Sequence, residues 1–124
     1  MHGELTQVRC ENTGEVYRWL DDLGRETVCR CCSYHGNLRP HVVWFGEMPL
    51  HLDEITSHLH DCELFIAIGT SGVVYPAAGF VKLARKAYKI EVNLNETDQS
   101  DNFDEHLVGK AGDIVPVLVR RILG

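Results

Sequence analysis

The sequence predicts an α/β fold organised on a parallel sheet, with a small cysteine-bearing excursion near its start. Three observations carry this reading. The run Leu64-Phe-Ile-Ala-Ile68 is wholly apolar, rich in Ile and too short for a helix, as strands buried on both faces are. Amphipathic segments alternate with strand-like runs along residues 38–124, the order that gives parallel strands with right-handed crossovers. Finally, Cys10, Cys29, Cys31 and Cys32 lie in a polar, turn-rich stretch that belongs to no core.

Composition bounds the rest. A chain of 124 residues is one domain by length and buries about two thirds of its extended-chain surface on folding. The net charge of -6 leaves no basic face for phosphate neutralisation, so neither DNA nor RNA is an expected partner. No apolar stretch approaches the roughly 20 residues of a membrane span, and the start lacks the basic and apolar regions of a signal peptide. The expected location is the cytoplasm, with no membrane partner. Five cysteines, an odd number, fit a reduced compartment and metal ligation better than a disulfide framework.

Taken in order, the chain opens with a strand-like alternation from Leu5 to Cys10. Residues 11–30 are polar, with an Asn-Thr-Gly turn and an Asp-Asp-Leu-Gly break. His41-Val-Val-Trp-Phe45 reads as a strand ending at Gly46. Residues 53–60 place Ile55 and Leu59 on one helical face, and together with the run 64–68 they complete a βαβ unit. After the turn Gly69-Thr-Ser-Gly72, residues 75–86 form a second helix with Phe80, Leu83, Ala84 and Ala87 as its apolar side. Lys89-Ile-Glu-Val-Asn-Leu94 is the next strand, 95–105 a charged surface loop, and 114–123 a final helix on Ile114, Val115, Leu118, Val119 and Ile122. Backbone at Gly69 and Gly72 can approach a ligand closely, and Thr70 and Ser71 add hydroxyls just beyond the strand's carboxyl end, where open α/β sheets bind nucleotides.

Cys10 and the pair Cys29 and Cys32 are separated by an excursion of zinc-ribbon length, and soft thiolates of this kind close a tetrahedral structural site. A full ribbon carries a second cysteine where Thr13 stands, and a threonine supplies no thiolate. Either Cys31 or His35 completes the shell, or the site is vestigial. Cys62, ahead of a buried strand, reads as a small core residue.

Read in order, His2-Gly3, the cysteine excursion, Leu38-Arg-Pro-His-Val-Val-Trp-Phe-Gly-Glu47, Ile68-Gly-Thr-Ser-Gly72, Tyr75-Pro-Ala-Ala-Gly79 and Val92-Asn-Leu94 resemble a sirtuin of the bacterial class III type. The resemblance covers essentially the whole chain. It implies a partial Rossmann-like sheet with an inserted zinc-ribbon module: residues 1–37 as the zinc module opening on the catalytic His-Gly, and 38–124 as the C-terminal part of an NAD-binding domain. It also implies NAD-dependent removal of acyl groups from protein lysine, with the acyl group passing to ADP-ribose and nicotinamide released. Sirtuins begin with a Gly-Ala-Gly phosphate loop and continue to a Thr-Gln-Asn-Ile-Asp motif, neither of which this sequence contains. The expected identity is therefore a C-terminal half, inactive by itself.

Position by position, the resemblance makes His2 the general base on the NAD ribose, a task that suits imidazole because it titrates near neutrality. It makes Val43, Phe45, Gly46 and Glu47 the segment that pairs with the acyl-lysine peptide and lines its tunnel. Gly69, Thr70 and Ser71 correspond to the turn against the NAD ribose and phosphates, Asn93 with Leu94 and Asn95 to the adenosine contact, and Ala111 to a backbone contact with adenine. Cys10, Cys29 and Cys32 correspond to zinc ligands. Two functional readings fit these residues: half of a deacylase, or a truncated remnant that keeps the zinc module and half of a nucleotide site without chemistry. A zinc-ribbon interaction module is a third, which explains nothing after Leu38.

Overall fold

A computed structural model describes every residue, Met1–Gly124. The chain divides into two compact units, Met1–Leu52 and Asp53–Gly124.

The first unit is an antiparallel three-stranded sheet. Strands β1 (Gly3–Cys10), β2 (Val16–Arg18) and β3 (Leu38–Val42) lie in the order β2-β1-β3. Alternation along β1 turns Val8 and Cys10 inward, where both are buried. A turn closes β1 onto β2, with Gly14 N–H donating to the Cys10 carbonyl at 2.9 Å. The strand expected over 41–45 is displaced: β3 ends at Val42 and pairs antiparallel with β1, Val8 opposite Pro40. A proline offers no ladder donor, so Pro40 suits this edge position. Consequently β3 is not the first strand of a βαβ unit; Val43 and Trp44 leave the sheet and residues 45–47 turn.

In the second unit, α1 (Leu52–Asp61) is followed by β4 (Leu64–Ile68), then a 3₁₀ turn over Ala77–Gly79 that runs into α2 (Phe80–Leu83). Next come β5 (Tyr88–Asn93), a 3₁₀ turn at Ser100–Asn102, β6 (Glu105–Val108) and α3 (Ala111–Leu123). The three strands are parallel in the order β4-β5-β6, with Ile66 opposite Ile90 and Val92 opposite Leu107. Leu59, Ala84 and Ala87 pack with Ile55, Phe65 and Phe80 on one face. Ile90, Val92 and Leu118 pack with Ile66, Leu107 and Ile114 on the other. Phe65 and Ile66 are successive strand residues and so point to opposite faces, which is why helices cover both. Cys62 sits against the first cluster, as expected of a small core residue.

Three elements differ from the sequence expectation. β4 lies at an edge with a neighbour on one side only, so Leu64 and Ile68 are exposed, and the buried strand segment is Ile90–Val92 of β5. The helix expected over 75–86 is short and begins as 3₁₀ turn, with Gly79 at the join, where its backbone freedom weakens an α-helix. The loop over 95–105 is no plain surface loop. Its Thr97 and Ser100 hydroxyls donate to the buried Glu91 carboxylate at 2.8 and 2.5 Å, and His106 Nδ1 lies 2.7 Å from the same group. Burial alone would raise Glu91, but these donors hold it below the usual carboxylate range. No helix is long and apolar enough to cross a membrane.

Candidate functional site

In the first unit, β1 delivers Cys10 and the loop after β2 delivers Cys29, Cys31 and Cys32. Cys29 N–H donates to the Tyr34 carbonyl and Ser33 N–H to the Cys29 carbonyl, both at 2.9 Å, which folds the loop into a tight knuckle with Ser33 at φ +61°. The four sulfurs lie within 4.8 Å of one another, Cys10 and Cys32 at 3.6 Å and Cys29 and Cys31 at 3.2 Å. Tetrahedral zinc with bonds near ~2.3 Å spaces its sulfurs about 3.8 Å apart, so this donor set fits the metal. Of the two candidates for a fourth ligand, the structure brings Cys31 into the cluster. His35 turns away, its Nδ1 3.2 Å from the Glu26 carbonyl. Thr13 stands beside Cys31 Sγ at 3.1 Å, a neighbour of the site by its hydroxyl.

The charges of the cluster point the same way. Burial pushes the Cys29 thiol up, but hydrogen bonds from the Tyr17 hydroxyl and Cys31 outweigh it and bring it down to about 6. Thr13 favours the Cys31 thiolate, yet burial and the neighbouring Cys29 and Cys10 outweigh that and drive Cys31 up to about 12. Thiolates this close cannot all ionise together without a cation.

Also in the first unit, His2 and the turn over 43–47 are adjacent: Val43 N–H donates to the His2 carbonyl at 2.9 Å. Gly3 stands at φ +84° hard against β3, where a Cβ would lie 2.0 Å from the His41 carbonyl oxygen. Phe45 is fully exposed, at 103% of its reference area. Glu47 is engaged within the protein. Arg39, buried to 8% exposure, meets both its oxygens at 2.5 and 3.0 Å, and Trp44 N–H donates to it at 3.0 Å.

In the second unit, the expected nucleotide residues gather at the carboxyl ends of the parallel strands. Gly69, just past β4, has φ +63° and its N–H donates to the Val92 carbonyl at 2.9 Å. Asn93 ends β5, its Nδ2 donating to the Thr70 carbonyl at 2.6 Å and its Oδ1 accepting from Leu94 N–H at 2.9 Å. Gly109 N–H donates to the Asn93 carbonyl at 2.9 Å, which sets Ala111 at the first turn of α3 beside the other two loops. Ser71, Leu94 and Asn95 are exposed there. Such a row of loops at strand carboxyl ends is the standard ligand position of open α/β sheets.

A model of the Sir2 family matches residues 1–76. The chain belongs to the Sir2 family. It is 53% identical over 126 residues to the NAD-dependent protein deacylase SIR2rp3 of Leishmania major, covering 99% of this chain and 52% of that protein. It is 51% identical over 123 residues to an NAD-dependent protein deacylase of Bdellovibrio bacteriovorus, again across 99% of this chain and 52% of the relative. Among solved structures, a Sir2 homologue in complex with NAD superposes with TM-score 0.83 at 35% identity, covering 98% of this chain and 49% of that one. A Sir2 protein bound to a myristoylated histone peptide matches with TM-score 0.72 at 32% identity, over 96% of this chain and 54% of that one. The chain thus spans about half the length of the curated relatives it matches.

Sequence reasoning missed several residues that organise these Sir2 features. Tyr17 supports Cys29 through its hydroxyl at 3.6 Å, Arg39 holds Glu47, and Glu91 ties down the loop after Asn93. Arg39 and Glu91 had a signal, a charged residue inside a strand. Tyr17 had none, since only the folded chain brings it to Cys29.

Proposed function

We propose that this chain carries the zinc module, the peptide-pairing turn and the distal nucleotide contacts of an NAD-dependent protein-lysine deacylase. The carrying observation is the side-by-side placement of Gly69, Asn93 and Ala111 at the carboxyl ends of three adjacent parallel strands. NAD supplies the ribose carbon that accepts the acyl oxygen and, in nicotinamide, the leaving group.

The chain's own residues divide the work as follows. Gly69, Thr70 and Ser71 offer backbone and hydroxyls to the ribose and phosphates, and nothing lies within 4 Å of where a Cβ on Gly69 would point. Asn93, Leu94, Asn95 and Ala111 form the adenosine end. Asn93 serves there by joining two loops, because its amide is already bonded to Thr70 and Leu94. His2 is the general base that takes a ribose hydroxyl proton. Val43, Phe45 and Gly46 take an acyl-lysine peptide through the backbone of Val43 and Gly46 and the exposed ring of Phe45. Cys10, Cys29, Cys31 and Cys32 hold a structural zinc, all four positions filled by protein. The zinc module lies within residues 1–37, and the cytoplasm is the proposed location.

Nicotinamide release from NAD in the presence of an acyl-lysine peptide tests this reading. The chain alone is expected to be silent. Joined in one polypeptide to a relative's phosphate-loop half, it is expected to turn over and to lose turnover in His2→Tyr. Turnover that survives His2→Tyr refutes the assignment of the base, and silence from both proteins favours a binding remnant.

A further inference from the structure

The turn over residues 43–47 is held by more than its backbone. Arg39 reaches it from inside β3. One guanidinium nitrogen meets Glu47 Oε1 at 2.5 Å, the other donates to Oε2 at 3.0 Å and to the Val42 carbonyl at 3.1 Å, and its carbon lies 3.6 Å from the centre of the Trp44 ring. Glu47 closes the circuit. Its Oε2 accepts from Trp44 N–H, and its own N–H donates to the Trp44 carbonyl, both at 3.0 Å. Gly46, at φ +86°, supplies the left-handed residue that such a tight turn requires. The Glu47 carboxylate is thus engaged by Arg39 and Trp44 while its side chain stays 35% exposed, and Phe45 projects fully into solvent.

This arrangement is costly to build. A guanidinium removed from water needs a matched partner, and a planar fork that both bonds a carboxylate and stacks on an indole is specific to arginine. A turn ordered in advance spares a ligand the entropy of ordering it.

We propose that Arg39 and Glu47 are positioning residues: they hold residues 43–47 in a preformed turn that presents Val43 and Phe45 to an acyl-lysine peptide, and Glu47 makes no contact with that peptide. The peptide's identity rests on the function proposed above; the clamp itself does not.

Two measurements on the 124-residue chain separate these layers. Chymotrypsin cleavage after Phe45, followed by mass spectrometry, reads the order of the turn. Fluorescence anisotropy with a labelled acyl-lysine peptide reads binding. Glu47→Gln keeps shape and removes charge, and Arg39→Lys keeps charge and removes the fork. Each is expected to speed cleavage and weaken peptide binding by about tenfold or more, the size of one lost charge-assisted hydrogen bond. Phe45→Ala should weaken the peptide while its urea midpoint stays unchanged. The clamp is overturned if the peptide binds but neither variant changes cleavage, or if Glu47→Gln weakens the peptide while the turn stays protected, since Glu47 would then touch the peptide. If the unaltered chain binds no acyl-lysine peptide, the peptide role assigned to the clamp is overturned, while cleavage still decides the clamp itself and turnover by the joined protein decides the functional reading.

Discussion

Replacing Gly3 with Ala should separate the two strands that carry His2 and the turn over 43–47. Gly3 lies at φ +84°, and a Cβ there would stand 2.0 Å from the His41 carbonyl oxygen and 2.8 Å from Val42 Cα, both backbone atoms that cannot rotate away. The left-handed conformation alone costs an L-residue about 1–2 kcal/mol. The contact must also open by more than ~1 Å to reach the ~3.3 Å of the closest tolerated C···O approaches. That displacement breaks the 2.9 Å bond from Val43 N–H to the His2 carbonyl, a further loss of about 1 kcal/mol. The total is about 2–4 kcal/mol once strand distortion is included. Gly14 provides the control, since its φ is +75° with nothing within 4 Å of the Cβ position, so Gly14→Ala should show the conformational cost alone, about 1–2 kcal/mol. Urea unfolding followed by tryptophan fluorescence measures both. With a slope of about 1–3 kcal/mol per molar urea, Gly3→Ala should lower the midpoint by about 0.7–4 M. Equal losses from the two variants would refute the backbone clash and leave Gly3 as an ordinary turn glycine.

Three further outcomes are expected. Elemental analysis should find one zinc per chain, well below one in Cys29→Ser or Cys31→Ser, and one in His35→Ala and Thr13→Ala; full zinc in Cys31→Ser would return the fourth position to another donor. Gly69→Val should weaken NAD binding beyond the backbone strain that a φ of +63° imposes on any side chain, because that side chain enters open space at the strand end; unchanged NAD affinity would make this turn purely structural. Arg39's hydrogen bonds hold Glu47 at about 2, below its unfolded value of roughly 4.3, so its stabilisation is complete above the unfolded value and disappears as pH falls towards about 2. Glu91 and Glu105 are also held low, so the measurement is a difference: Glu47→Gln should flatten the fall in urea midpoint between about pH 5 and 2 relative to the parent, and an unchanged fall would contradict the pairing.

Much of this protein was legible in the sequence because it is written in local pattern. The run 64–68, the strand pattern of 89–94 and the helical period of 114–123 announce parallel strands and a covering helix, since buried strands and amphipathic helices need those residues in those periods. The family was legible too, because its motifs are short and ordered: His2-Gly3, the Phe45-Gly-Glu47 turn and Gly69-Thr-Ser-Gly72. What tertiary structure decided was which side chains meet. Spacing left Cys31 and His35 as equal candidates, and only the knuckle at Ser33 turns one sulfur in and the imidazole out. The sequence offers Glu47 only as part of the peptide-pairing segment; the fold adds Arg39, eight residues earlier on a strand, in bonding range of its carboxylate. Glu91 reads in the sequence only as part of the strand 89–94, and the fold alone brings residues 97, 100 and 106 onto its carboxylate. Local sequence encodes period and turn chemistry. A buried charge or a metal shell instead depends on donors brought together from distant positions, and their satisfaction exists only in the folded chain.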